Sequence, residues 1–226
     1  MGHNEAGVIS VFKQTLREFA EMSNRHFDDY AAGGQDTYIL GDDFWVTYDH
    51  FAIVESKWSK KQISREVADK FDRVKALCEA LGNEPDMADL HAKCHRIAWR
   101  DRDTKRLMSR VYRDEVCVEE FPGTCTDNVK RTSPMTIDDF GKEFFGDPPL
   151  HCLPINDFIK YIKWLTKTVT GKEREILVLA RSRDKDGFTI SEQVKLSDLR
   201  QWLPKPSTTT PTTPSNTSKN KKKFKN

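Results

Sequence analysis

The chain is predicted to be α/β, with a central mixed sheet flanked by helices and an α-rich insertion. Three observations carry this. Residues 44–47 and 51–54 are rich in aromatic and β-branched side chains and are separated only by Tyr48-Asp49-His50, which reads as an antiparallel hairpin. Residues 176–180 (Ile-Leu-Val-Leu-Ala) are continuously apolar, as expected of a strand buried on both faces. Around these runs, apolar residues recur at the spacing of amphipathic helices.

The first element is a helix over 8–27, with Val8, Val11, Phe12, Leu16, Phe19, Ala20 and Phe27 on its apolar side. Gly33-Gly34 breaks the chain, and 37–40 is expected as a short strand leading into the hairpin. After Trp58, a Ser59-x-x-Gln62 capping box opens a helix whose stripe of Ile63, Val67, Phe71, Val74, Leu77, Cys78 and Leu81 stops at Gly82. A second long helix is expected over 86–113, with Asp86 as its cap and Met87, Leu90, Cys94, Ile97, Ala98, Met108, Val111 and Tyr112 inward. A strand at 116–121 and a helix at 136–145, ended by Asp147-Pro148-Pro149, follow. Phe158, Ile159, Ile162 and Leu165 mark a helix over 156–168 that Gly171 closes. The strand at 175–181 turns at Asp184-Lys185-Asp186-Gly187 into 188–190, and 196–203 reads as a closing helix. The Thr, Pro and Lys composition beyond Pro204 cannot form a core and reads as a disordered tail. The elements group as 1–83 (helix, hairpin, helix), a mostly helical insertion over 84–172, a completing strand pair and helix over 173–203, and the tail over 204–226.

Hydrophobic residues make up 37% and charged residues 32%, the balance of a water-soluble globular chain. No apolar run approaches the roughly 18 residues of a membrane span, and the N-terminus lacks the charge-then-apolar pattern of a leader, so no membrane partner and a cytoplasmic location are expected. Five irregularly spaced cysteines do not form a secreted disulfide framework, and reduced thiols follow. His91, Cys94, His95, Cys117, Cys125, His151 and Cys152 include no Cys-x-x-Cys pair, so zinc is not expected. The net charge of +2 does not announce a nucleic-acid binder, so any such surface must be local.

The chemistry-bearing stretch is 41–58. Along its second strand Phe51, Ile53, Glu55 and Lys57 share one face, while Ala52, Val54, Ser56 and Trp58 share the other. Folding the hairpin brings Asp42 and Asp43 toward Glu55 and Lys57. Carboxylate oxygens suit Mg²⁺ or Mn²⁺, and a neighbouring ammonium can polarise a water or meet a phosphate. An acid, a hairpin and then Glu-x-Lys at the end of an apolar strand resembles the PD-(D/E)xK nuclease superfamily, whose restriction-endonuclease-like core has this helix, hairpin, helix order. Gly41 stands where that family's loose pattern often has proline. The resemblance implies Asp43, or alternatively Asp42, and Glu55 as metal ligands and Lys57 as the residue supporting the attacking water. It also makes Glu18 or Glu21 of the first helix a candidate further ligand, and Gln62 a candidate active-site glutamine. The implied activity is metal-dependent hydrolysis of phosphodiester bonds in DNA, in repair, restriction or mobile-element conflict.

Arg102, Arg106 and Arg110 recur every four residues and Arg113 follows, so in the expected helix they form a guanidinium stripe suited to phosphates. DNA is thus the expected partner, with a homodimer compatible. The competing reading is a non-catalytic nucleic-acid- or protein-binding regulator in which the acids and lysine form a structural charge cluster. Convergence of an acid, Glu55 and Lys57 on one point distinguishes the two.

Overall fold

A computed structural model describes residues 5–32, 35–124, 131–183 and 189–203. The chain is α/β, built on a seven-stranded mixed sheet with helices on both faces. After α1 (Glu5–Met22) come β1 (Asp28–Ala31), a single helical turn α2 (Asp36–Ile39), and the expected hairpin of β2 (Asp43–Thr47) and β3 (His50–Lys57). The hairpin closes at Thr47↔His50, with Tyr48 at φ 51°, so Tyr48-Asp49 forms the tight reversal. Three helices, α3 (Lys61–Asp69), α4 (Phe71–Asn83) and α5 (Pro85–Cys94), then cross over to β4 (His95–Arg100), which lies parallel to β3 with Glu55 opposite Ile97. This is the order expected of a parallel connection, which needs a crossover of a dozen or more residues.

β5 (Leu107–Val111) returns antiparallel to β4, and β6 (Met135–Thr136) forms the far edge. Between β5 and β6 lie a π-helical turn at Arg113–Cys117 and α6 (Val118–Glu120). α7 (Ile137–Phe144), β7 (Leu153–Pro154), which pairs with the start of β3, and α8 (Ile155–Thr170) follow. β8 (Leu177–Arg183) and β9 (Thr189–Lys195) make a separate two-stranded sheet, capped by a 3₁₀ helix at Leu196–Gln201.

Alternation along β3 divides the interior in two. Phe51 and Ile53 join Phe44, Val46, Leu77, Phe158, Tyr161 and Leu165 on the face covered by α4, α5 and α8. Ala52 and Val54 join Trp45, Phe12, Leu16, Phe140 and Phe144 on the face covered by α1 and α7. Fully buried Phe158 stacks on Phe51 with ring centroids 5.3 Å apart and meets Phe44 edge-on at 5.8 Å, so α8 is seated by an aromatic cluster.

Several elements differ from expectation. Residues 95–111 are two strands and a turn rather than the second half of a helix, so the arginine stripe is not formed. Asp101 ends β4 by accepting hydrogen bonds from the N–H and hydroxyl of Thr104, each at 2.7 Å, an Asx-type turn that competes with helix. Apolar residues at Ile97, Ala98 and Trp99 fit a strand buried on both faces, a pattern that helical periodicity does not separate from a buried helix. The strands β4 to β7 therefore come from the 84–172 stretch expected to be mostly helical, and they extend the central sheet. The 177–195 pair, expected to complete that sheet, pairs only with itself. Residues 37–40 fall in a helical turn, and 116–121 are helical rather than extended.

The expectation of reduced thiols is also corrected: Cys78 and Cys117 form a disulfide between α4 and the π-helical turn, while Cys94 and Cys152 are free and buried. Neither spacing nor composition could show that partner, because the pairing depends on α4 crossing Arg113–Cys117. The expected break at Gly33-Gly34, Cys125, the 184–187 turn and the 204–226 tail lie outside the described residues.

Candidate functional site

The end of the β2–β3 hairpin gathers the charges. Gly41 approaches β3 so closely that a Cβ there would lie 2.3 Å from Ile53 Cγ1, which accounts for glycine at this position. The approach lets the Asp42 N–H donate to the Val54 carbonyl at 2.8 Å, and the Ser56 N–H donate to Asp42 Oδ2 at 2.8 Å. Asp42 has the parity of Phe44 and Val46, and Glu55 and Lys57 that of Phe51 and Ile53, so all three share the face covered by α4, α5 and α8.

Lys57 Nζ lies 2.7 Å from Glu55 Oε1, and Lys70 Nζ, at the joint of α3 and α4, lies 3.4 Å from the same oxygen. Glu55 Oε2 is buried with no hydrogen-bond partner among the described residues. Burial, then the Asp42 carboxylate, push Glu55 up to about 7 against the pull of Lys57 and Lys70. Burial likewise raises Asp42, although Lys57, the Ser56 N–H and Lys70 oppose it. Two neighbouring carboxylates whose ionisation burial opposes, one of them with an unpartnered oxygen, have the donor chemistry of a hard divalent cation. Mg²⁺ keeps several waters and needs only one or two protein carboxylates, so the donor set fits. Among the described residues, no group of three or more His, Cys, Asp or Glu side chains could hold a metal.

Asp43, the first choice from sequence, points the other way. It shares the parity of Trp45 and accepts from Lys13 Nζ of α1 at 2.5 Å, and Lys13 also lies 3.0 Å from Asp29. Burial alone would depress Lys13, but Asp43 and Asp29 outweigh it and raise its pKa. Asp43 thus belongs to a clasp of α1 onto the sheet, and Asp42 is the acid that meets Glu55 and Lys57. Glu18 and Glu21 are exposed on α1, with Glu18 accepting from Gln14, and neither joins the cluster.

Gln62 donates its backbone N–H to the Ser59 carbonyl at 2.9 Å. The side-chain capping box does not form: Gln62 Oε1 and Ser59 Oγ are both buried without hydrogen-bond partners among the described residues. The four arginines separate into two kinds. Arg110 is spent on the Thr132 carbonyl at 2.7 Å and on Glu115 at 3.0 Å, and buried Arg113 forks onto Asp114 at 3.1 Å, so these two hold structure. Arg102 and Arg106 are exposed on the β4–β5 turn. Lys70, whose carbonyl starts α4, had no sequence signal, because 59–82 read as one unbroken helix.

The histidines set aside for zinc are fully committed elsewhere. His95 Nε2–H donates to the Leu40 carbonyl at 2.9 Å, and its Nδ1 accepts from the Tyr161 hydroxyl at 2.7 Å. His91 Nδ1–H donates to that hydroxyl at 2.7 Å, and its Nε2 accepts the Arg113 N–H at 3.0 Å. This single consistent set of tautomers makes the chain neutral and complete. Burial holds His95 down at about 4 and His91 well below its usual range.

Beside the cluster, a cavity of about 630 Å³ opens between the start of α3 and the β4–β5 turn, lined by Ser59, Lys61, Arg100 and Arg102 among others. Glu55 and Lys57 are themselves only 2% and 4% exposed and do not line this cavity. Among the described residues, no helix is long and apolar enough to cross a membrane. Comparisons with protein-family models, curated proteins and solved structures found no match, so the site stands on its geometry alone.

Proposed function

We propose that the protein is a metal-dependent nuclease that hydrolyses phosphodiester bonds in DNA, with Asp42 and Glu55 as the metal-binding acids and Lys57 as the basic residue beside them. The observation that carries this reading is the convergence of Asp42, Glu55 and Lys57 on one face of a hairpin end, where Glu55 keeps an unpartnered buried oxygen. Mg²⁺ or Mn²⁺ at such a site would supply a Lewis acid and an activated water. The chain's own residues orient and neutralise. The Ser56 N–H fixes the Asp42 carboxylate, and Lys57 holds Glu55 through Oε1 alone, which leaves Oε2 for a ligand. The ammonium of Lys57 is also a compact charge able to meet a water or a non-bridging phosphate oxygen. Glu55 and Lys57 are buried and Asp42 is half-buried, so Asp42 is the member of the cluster most open to a ligand.

One observation favours the rival reading of a non-catalytic binding or regulatory protein. Two carboxylates and two lysines balance formally, as a structural ion-pair cluster would. Incubation of the full chain with plasmid and linear DNA, in Mg²⁺ or Mn²⁺ and in chelator, separates the two. Cleavage that needs the metal and is abolished by Lys57→Met supports the nuclease; intact DNA under every condition refutes it. Methionine is used because alanine would leave a void beside a buried carboxylate.

A further inference from the structure

We propose that the cavity at the start of α3 is a phosphate subsite, which grips a backbone phosphate of a nucleic-acid strand next to the one that is cut. The assignment rests on the nuclease reading for its ligand, but its features are independent of Glu55 and Lys57. The cavity, of about 630 Å³, is large enough for a nucleotide unit and is lined by Ser59, Lys61, Arg100 and Arg102. Ser59 is 1% exposed, lines the cavity, and its Oγ has no hydrogen-bond partner among the described residues. A buried hydroxyl without a partner costs free energy unless a ligand completes it.

That hydroxyl sits at the N-terminus of α3, a nine-residue helix whose dipole favours an anion there. The N–H groups of Gln62 and Ile63 already donate to the Ser59 and Lys60 carbonyls, so the helix contributes its field and the serine contributes the hydrogen bond. Lys61 and Arg102 are exposed and make no ion pair among the described residues, and the Arg100 guanidinium lies 5.9 Å over the Trp58 ring. Three cationic side chains and one hydroxyl therefore line the same cavity.

The cavity's carboxylates bear on what can bind. Glu115 is neutralised by Lys60 at 2.7 Å and Arg110 at 3.0 Å, and Glu119 lies 3.6 Å from Arg131. Asp101 is held by Thr104, and Glu120 accepts from Ser64. Asp103 is exposed on the turn. Glu115 and Glu119 are matched by cations while Asp101, Asp103 and Glu120 keep their charge, so the cavity suits a single phosphate on its Ser59, Lys61 and Arg102 side and disfavours a run of phosphates laid across it. Ser59 is two residues beyond Lys57 on the continuing chain, so the two sites are close neighbours in sequence.

The test uses the full chain in chelator, so that binding is read without cleavage, with a short fluorescent DNA strand titrated over a series of salt concentrations. The Lys61→Ala/Arg102→Ala double variant should bind roughly tenfold more weakly and lose about 1 from the slope of log affinity against log salt. Ser59→Ala should weaken binding several-fold with the slope unchanged, since it removes a hydrogen bond and no charge. Melting temperatures close to wild type show that the variants are folded. An unchanged affinity and slope in the double variant overturns the subsite, even if Lys57→Met still abolishes cleavage. Inorganic phosphate that raises the melting temperature, together with DNA affinity untouched by the double variant, also overturns it, because the cavity would then take a small anion only. Weakened binding in a protein that never cleaves DNA keeps the subsite and removes the nuclease.

Discussion

Replacing Glu55 by glutamine removes one proton-binding site at nearly constant shape, and its effect on stability should change with pH. Glu55 is held at about 7 in the folded chain, against 4.5 for the free side chain. Between those values the folded state keeps a proton that the unfolded chain has lost, so stability falls as pH rises through the window. At about 1.4 kcal/mol per pH unit, the loss is on the order of 3 kcal/mol. The buried histidines act in the opposite sense. His91 and His95 stay neutral when folded but take up protons below about 6.5 when unfolded, so they cost stability as pH falls.

The wild-type profile alone is therefore a partial cancellation. The difference between wild type and Glu55→Gln isolates the carboxyl, because the histidine chain is common to both. In urea unfolding with chelator, the variant should gain on wild type by on the order of 3 kcal/mol between about pH 4.5 and pH 8. Mn²⁺ should then restore wild type at about pH 8. At ten times its dissociation constant it contributes about 1.4 kcal/mol, or roughly 3–6 °C in a chain of this size, and the response should shrink at about pH 5.5, where the proton occupies the carboxylate. Parallel pH profiles for the two proteins would refute the buried proton, and no Mn²⁺ response in wild type at pH 8 would refute the metal role.

Asp42→Asn should abolish metal-dependent plasmid relaxation, whereas Asp43→Asn should keep it and instead loosen α1, seen as faster amide exchange over Glu5–Met22; the reverse pattern would reinstate Asp43 as the site acid. Tyr161→Phe leaves a donor on His91 and an acceptor on His95 buried and unsatisfied, and should cost roughly 2–5 kcal/mol by denaturant unfolding; a loss under 1 kcal/mol would show that the chain from Leu40 to Arg113 is not tight. The Cys78–Cys117 link spans 39 residues, so the Cys78→Ala/Cys117→Ala protein should be less stable by about 4 kcal/mol on the chain-entropy estimate; equal urea midpoints for the two proteins would contradict the link.

Residues 42–57 show what can be read before folding and what cannot. The hairpin, its alternation and the pairing of Glu55 with Lys57 follow from local properties: β-branched and aromatic residues, a short turn, and a side-chain period of two. The helices α1, α4, α7 and α8 are legible because each buries a continuous apolar stripe. The choice between Asp42 and Asp43 was not local. Adjacent residues point to opposite faces, and only the register that sets Asp43 opposite Val54 decides which acid meets Glu55. β4 is not legible locally, because a strand buried on both faces has no alternation to distinguish it from a buried helix, and its neighbour β3 lies some forty residues earlier in the chain. Lys70, the disulfide and the spent state of Arg110 and Arg113 depend on contacts between segments far apart in sequence, which composition and spacing do not encode. The amino-acid sequence thus determined the elements and the chemistry available at the hairpin; the tertiary structure alone decided which side chains share that point, because convergence is a property of register and packing.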